Sequence, residues 1–351
     1  MLARVNFKSD GLGLTPREYI DQLAEIPRIE SLDEDYYSSG GVVQEIEDTF
    51  ARLLGKEMAV FLPTGTLANH LALRALTRGG GRVLVQAESH VYNDSGDCAE
   101  GLSGLKLIPL GQNESTFTLS EVRGWVERSS GSRVQTEVNA ISVETPVRRK
   151  DHQMFDVGEL VRISSYARGQ GIGLHLDGAR LFNLPLHSGR SVDEISSLFD
   201  TVCVSLSKHF NAAAGVILAG SANLIAGMRQ ARRMFGGSMP HAWPTIALVP
   251  RYLQSYLQDY SRAWGVANSF IEHLSSDDRF FIQRIPNGTS RFLLRASGQA
   301  AGTLAARLLE RGVILPQARA HNGIYPMQVN ASILRSTPEV LAQSFTECLD
   351  G

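Results

Sequence analysis

The sequence predicts an α/β protein with a mostly parallel sheet of seven strands, covered by helices on both faces and followed by a smaller C-terminal α+β domain. Three observations carry this. Seven short, β-rich apolar runs recur through the middle of the chain: EMAVFLP, GGRVLVQ, LKLIPL, VNAISVE, GIGLHLD, TVCVSLS and AAGVILAG. Several are separated by stretches of helical periodicity, the alternation that crossover-connected parallel strands require. After MFGGSMPHAWPTIALVPRYL the pattern changes to a long helical segment through about residue 275. Then come RFFIQRI, SRFLLRA, a helix AAGTLAARLLERG, GIYPMQVN and a last helix TPEVLAQSFTECLD.

In chain order, residues 1–35 read as an N-terminal arm with one helix, TPREYIDQLAEIP. Residues 36–245 form the large domain, and 246–351 the linking helix and small domain. A chain of 351 residues is long enough for such a pair. Within the large domain, GTLANHLALRALTRG reads as a helix opened by Thr64 to Thr66 and closed by Gly79. FDVGELVRISSYARGQG is another, stopped by glycine.

Composition narrows the partners. A net charge of −2 with 20% charged residues gives no electrostatic case for nucleic acid or an anionic membrane, which leaves small molecules or copies of the same chain. Cys98, Cys203 and Cys348 form no CxxC pair, so neither a metal site nor a disulfide framework is expected, and a reducing cytoplasm fits. The start, MLARVNFKSDG, lacks an apolar signal core, and AAAGVILAG is too short to span a bilayer.

Ligands of open parallel sheets sit outside the carboxyl ends of the strands. Two strand exits carry charge there: GIGLHLD delivers Asp177, and TVCVSLS delivers Lys208. A third exit, LPTGTLANH, turns into a helix at Thr64-Gly65-Thr66, where free N–H groups, the helix dipole and hydroxyls suit one phosphate. It has neither Walker nor GxGxxG spacing. A phosphate cradle, a buried acid and a buried lysine match the needs of pyridoxal 5'-phosphate. The lysine forms a Schiff base, and the acid keeps the pyridine nitrogen protonated. His90, in ESHVYND after a strand, is placed to stack on the ring.

HLDGARLFN, LSK, LPTGTLAN, LLGKEMAVFLPTGT and GGSMPHAW resemble the motifs of the low-specificity threonine aldolases and related β-eliminating lyases, which are fold-type I pyridoxal phosphate enzymes. The similarity runs from FKSD to the last helix. It implies that Lys208 carries the cofactor, Asp177 holds its pyridine nitrogen, His90 stacks on it, and Thr64, Gly65 and Thr66 bind its phosphate with Ser205 as an extra donor. It also implies that Arg180 lies beside the cofactor or the substrate carboxylate, that Ser9 lies near that carboxylate, and that Tyr37 lies near the site at a subunit interface. A homodimer or homotetramer with shared active sites follows from the same resemblance.

Several positions depart from the family pattern. His209 and Phe210 follow the lysine where a glycine is usual, and Pro240, with His241 and Trp243 after it, stands where the family has an arginine. The final strand, YPMQVNASIL, has no arginine in register, and Arg335 comes later; ETPVR keeps Glu144 of an ENTHN stretch but not its asparagines. The expected reaction is retro-aldol cleavage of a β-hydroxy or β-substituted amino acid, with His90 as the base at the β-hydroxyl. The alternatives are β-elimination, transaldol transfer or transamination on the same cofactor, and a non-catalytic binding protein of the same fold.

Overall fold

The computed structural model describes residues 4–27, 32–131, 133–320 and 322–350. The parts of the expected N-terminal arm at 1–3 and 28–31 lie outside the described residues. All seven apolar runs are strands of one sheet: β1 (Met58–Leu62), β2 (Arg82–Gln86), β3 (Lys106–Leu110), β4 (Val138–Glu144), β5 (Gly173–Asp177), β6 (Thr201–Ser205) and β7 (Val216–Gly220). Their order is β1-β7-β6-β5-β4-β2-β3, and β7 alone runs antiparallel to its two neighbours.

Side chains alternate across this sheet because successive Cβ atoms point to opposite faces. Ala59, Phe61, Val202 and Val204 enter the main core, whereas Val60, Leu62, Cys203 and Leu218 pack on the opposite face. Burial on both sides explains why the strands read as continuous apolar runs rather than as alternating ones.

Helix α1 (Gly41–Leu53) precedes β1, α2 (Gly65–Leu76) follows it, and α3 (Val157–Gln170) connects β4 to β5. Thr64 caps α2 by accepting from Leu67 N–H, and Asp156 caps α3 by accepting from Glu159 N–H. Gly171 ends α3 in the left-handed conformation, φ 69°.

The long segment leading to residue 275 is not one helix. Two short turns, Trp243–Ile246 and Val249–Leu253, each carry a proline in the first helical turn, and continuous helix α4 runs only over Tyr256–Ser275. Pro244 and Pro250 lack the N–H an uninterrupted helix needs, so each restarts the helix instead of continuing it.

Beyond α4, β8 (Phe280–Arg284), β9 (Arg291–Ala296) and β10 (Tyr325–Gln328) form an antiparallel sheet in the order β10-β9-β8, with α5 (Pro338–Asp350) closing the chain. Its core is separate and aromatic: Phe270, Phe292 and Phe345 are fully buried together with Phe7. Phe7 stacks on Phe270 at 5.8 Å, and Val5–Asn6 pairs in parallel with Val313–Ile314. The first described residues are thus part of the small core, and this anchors the KSD segment at the mouth of the site.

Candidate active site

The exits of β4, β5 and β6 lie side by side. Glu144 and Asp177 are register partners across β4 and β5, and Asp177 and Cys203 across β5 and β6. Gly178 lets the chain turn immediately after Asp177, since a Cβ there would sit 2.9 Å from Cys203 O.

Asp177 is held by neutral donors. Asn69 Nδ2 donates to Oδ2 at 2.6 Å, Ala179 N–H to Oδ1 at 3.2 Å, and the Cys203 thiol lies 3.7 Å from Oδ1. Behind Asn69, His175 Nε2 lies 2.9 Å from Asn69 Oδ1 and His175 Nδ1 lies 2.9 Å from Thr201 Oγ1. An amide oxygen only accepts, so His175 carries its proton on Nε2 and accepts from the Thr201 hydroxyl. Burial pushes its pKa down to about 4, which keeps the ring neutral. Burial alone would raise Asp177, but His90, Lys208 and the donors around it hold it below the ordinary carboxylate range.

Lys208 does not extend β6. The strand ends at Ser205, and Leu206–His209 is a single helical turn that turns Lys208 back towards the sheet end. Burial and the Arg180 guanidinium lower the Lys208 pKa, against the opposing pull of Asp177, Asp10 and Glu144. A depressed lysine is the form that attacks a carbonyl carbon. The unexpected His209-Phe210 pair packs inward: His209 Nδ1 meets Tyr256 Oη at 2.7 Å, and Tyr256 in turn donates to Asn183 Oδ1. Phe182, Phe210 and Tyr256 surround the His209 ring, and burial pushes it down to about 3. This neutral aromatic plug holds the lysine turn against α4.

At the head of α2, Thr64 takes the Leu67 N–H and the Thr64 carbonyl takes the Ala68 N–H. The N–H groups of Gly65 and Thr66 are therefore the ones left for an anion, and the same two residues are singled out by the sequence. Ser205, buried at the end of β6, has its hydroxyl 3.2 Å from that of Ser207.

His90 starts a short turn capped by Ser89, and its backbone N–H donates to Glu144 Oε2 at 2.6 Å. Glu144 Oε1 accepts from Arg148 N–H at 2.9 Å. Burial and neighbouring Asp177 push Glu144 up to about 7. Burial lowers His90, leaving the imidazole neutral, and its buried Nδ1 has no partner among the described residues.

Arg180 is closed on Asp10, Nε to Oδ1 at 2.8 Å and Nη2 to Oδ2 at 2.9 Å. Ser9, next to Asp10, is held through its carbonyl by Asn330 and lines a cleft of about 680 Å³ together with Asp10 and Lys208. Tyr37 is not drawn into this constellation within one chain. Its φ is 51°, its N–H donates to Pro240 O, and its ring lies under Arg233.

Asp10, Asn69, His175 and Tyr256 were not singled out by sequence reasoning. Asn69 was findable, because it sits one helical turn inside the capped start of α2 on the sheet-facing side. Asp10 stands beside Ser9 in KSD, but only the fold brings it to Arg180.

A buried carboxylate kept ionised, a depressed lysine, an unpartnered imidazole nitrogen and two free helix-terminal N–H groups converge on one place. They fit the needs of pyridoxal phosphate, and the sheet order is that of the fold-type I architecture. The profile of the beta-eliminating lyase family matches residues 9–339, and the chain belongs to that family.

Among curated relatives, the low specificity L-threonine aldolase of Saccharomyces cerevisiae is 26% identical over 252 residues, covering 67% of this chain and 64% of that protein. An alanine racemase of Cochliobolus carbonum is 30% identical over 246 residues, covering 68% and 59%. The matched stretch thus spans a little under two thirds of the length of these relatives. A solved structure described as a putative L-allo-threonine aldolase from Listeria monocytogenes superposes with a TM-score of 0.77 at 26% identity, covering 99% of this chain and 95% of that one. A putative aromatic amino acid beta-eliminating lyase/threonine aldolase from Exiguobacterium gives 0.81 at 23% identity, covering 99% and 97%.

Proposed function

We propose that the protein is a lyase that cleaves the Cα–Cβ bond of β-hydroxy amino acids in the retro-aldol sense, as a threonine aldolase does. The observation that carries this is the placement of Asp177, held by Asn69 and the Ala179 N–H, at the exit of β5 beside the exit of β6, where the half-buried Lys208 has a lowered pKa. Bound there, pyridoxal phosphate supplies the electron sink for bond cleavage. Lys208 would hold the cofactor covalently through Nζ, and Asp177 would accept a hydrogen bond from its protonated ring nitrogen. Gly65 and Thr66 donate to the phosphate. His90 presents a neutral face to the ring and is in the base form at neutral pH, as abstraction of a β-hydroxyl proton requires.

A site shared between subunits is part of this reading. Tyr36 and Tyr37 are exposed on a loop of left-handed residues, and a second copy of the chain is the partner that suits them. Separate hydrophobic cores, one on the central sheet and one around Phe270, Phe292 and Phe345, support the division near residue 245. Three free cysteines accord with a cytoplasmic setting, and no helix among the described residues is long and apolar enough to cross a membrane.

The test is an absorbance spectrum of the purified protein, then borohydride reduction, peptide mapping and product analysis. A pyridoxyl group on Lys208, with glycine and acetaldehyde from threonine, is expected. Ammonia or a keto acid without cleavage would replace the aldol reading by elimination or transamination, and loss of optical activity without cleavage by racemisation. A pyridoxyl group on any other lysine would remove the central assignment.

A further inference from the structure

Pyridoxal phosphate is rigid, with its ring nitrogen and its carbonyl carbon at opposite ends, so Asp177 and Lys208 have to stand at a set separation. Both lie on loops that leave neighbouring strands, Asp177 at the end of β5 and Lys208 in the turn after β6. One phenol joins these loops. Tyr256, the first residue of α4, donates to Asn183 Oδ1 at 2.7 Å and meets His209 Nδ1 at 2.7 Å. Asn183 ends the turn that follows Arg180, and His209 is the residue after Lys208.

The proton order in this chain is fixed. An amide oxygen only accepts, so the Tyr256 proton goes to Asn183, and His209 Nδ1–H is the donor to the phenol oxygen. Burial keeps both groups in these forms, pushing His209 down to about 3 and Tyr256 well above the ordinary phenol range.

Packing alone does not fix the His209 ring. Phe182 and Phe210 stand 5.6 and 5.5 Å from it. His209 and Tyr256 also line a cavity of about 210 Å³, together with Asn330, Ala331 and Leu334 of the small domain. The lysine turn therefore has room to shift once its hydrogen bond is cut. That bond is the only polar tie of the ring among the described residues, since Nε2 has no partner. A glycine after the lysine would offer no such handle.

We infer that Tyr256 is a positioning residue: through His209 and Asn183 it locks the Lys208 turn to the loop that carries Asp177 and Arg180. The inference rests on Lys208 as the residue that holds the cofactor. Burial and Arg180 lower the Lys208 pKa, against Asp177, Asp10 and Glu144. A turn that slips loses both lowering influences, and the lysine returns towards its ordinary 10.5. Each unit regained leaves about tenfold less free amine at a fixed pH.

The experiment adds pyridoxal phosphate to the full-length protein freed of cofactor and follows the growth of the visible band between about pH 6 and 10, with urea midpoints alongside. In Tyr256→Phe the pH profile is expected to move up by about one unit, and capture at pH 8 to slow by roughly tenfold. His209→Ala does the same, and the double variant is no slower than either single one, because all three cut one bond. His209→Asn places an amide donor where Nδ1 stands, and it recovers most of the wild-type rate. If Tyr256→Phe and His209→Ala lower the urea midpoint but leave the pH profile in place, the bond is packing only and the inference falls while Lys208 keeps its role. If borohydride trapping of the wild type marks another lysine, the reading of Lys208 falls and takes the inference with it.

Discussion

Two charged regions of the molecule, one around Asp177 and one around Arg291, are built on opposite electrostatic principles. Asp177 takes its hydrogen bonds from neutral groups, linked in series from the carboxylate through Asn69 and His175 to Thr201. Around Arg291 the groups are charged and share partners: Asp151 lies 3.6 Å from its Nη1 and also pairs with Arg319. The first region is a finished structure that holds one ionised oxygen pair in place, and the difference teaches how each charge is held. A satisfied neutral network fixes geometry through hydrogen bonds, whereas a shared carboxylate holds its guanidiniums through charge.

The sharpest way to break the contrast is to neutralise the finished region. Asp177→Asn preserves shape but removes the charge that keeps a ring nitrogen protonated, and it sets an amide against the Asn69 amide. Turnover is expected to fall by about 100-fold or more, with a weaker cofactor Kd, since a charge-assisted hydrogen bond is lost in a buried site. Rates and cofactor titration measure the two effects. A variant that retains wild-type turnover would show that the acid has no part in the chemistry.

A smaller effect follows from cutting the same network one step back. Asn69→Ala leaves Asp177 Oδ2 without its shortest donor and His175 Nε2–H without an acceptor, two buried groups at once. The stability loss is expected to be about 2–4 kcal/mol by denaturant melts, with the cofactor Kd raised by roughly tenfold. Cofactor binding unchanged at full stability loss would reduce Asn69 to a packing residue.

The same division explains what was legible in the sequence. All seven strands stood out because burial on both faces makes each a continuous apolar run, and Asp177 and Lys208 stood out because charge at the end of such a run is conspicuous. Gly65 and Thr66 followed from the capping turn. Arg291 carried no such signal: SRFLLRA alternates like any half-buried strand, and its surroundings depend on pairing with Gln328, 37 residues away in sequence. The His209-Phe210 pair, a departure from the family pattern, is buried packing behind the lysine turn. Charge balance across three segments is a tertiary property, and no local pattern encodes it.

Glu144 lies beside Asp177 and gives the finest test of the contrast. It accepts the N–H groups of His90 and Arg148, yet burial and Asp177 push it up to about 7 from an ordinary 4.5. A carboxyl raised in the folded state takes up a proton that the unfolded chain releases. Its stabilising contribution is therefore complete below about 4.5 and is lost as pH rises through about 7. Between pH 5.5 and 7.5 the apoprotein is expected to lose roughly 1–2 kcal/mol from this group alone. Glu144→Gln, which cannot ionise, removes that slope while lowering stability uniformly through one lost acceptor. Urea midpoints of both proteins at the two pH values isolate the term, because histidines that titrate in the same window contribute equally to each. Parallel pH dependence would mean that Glu144 is already ionised at pH 5.5, and that the region around Asp177 tolerates a second charge after all.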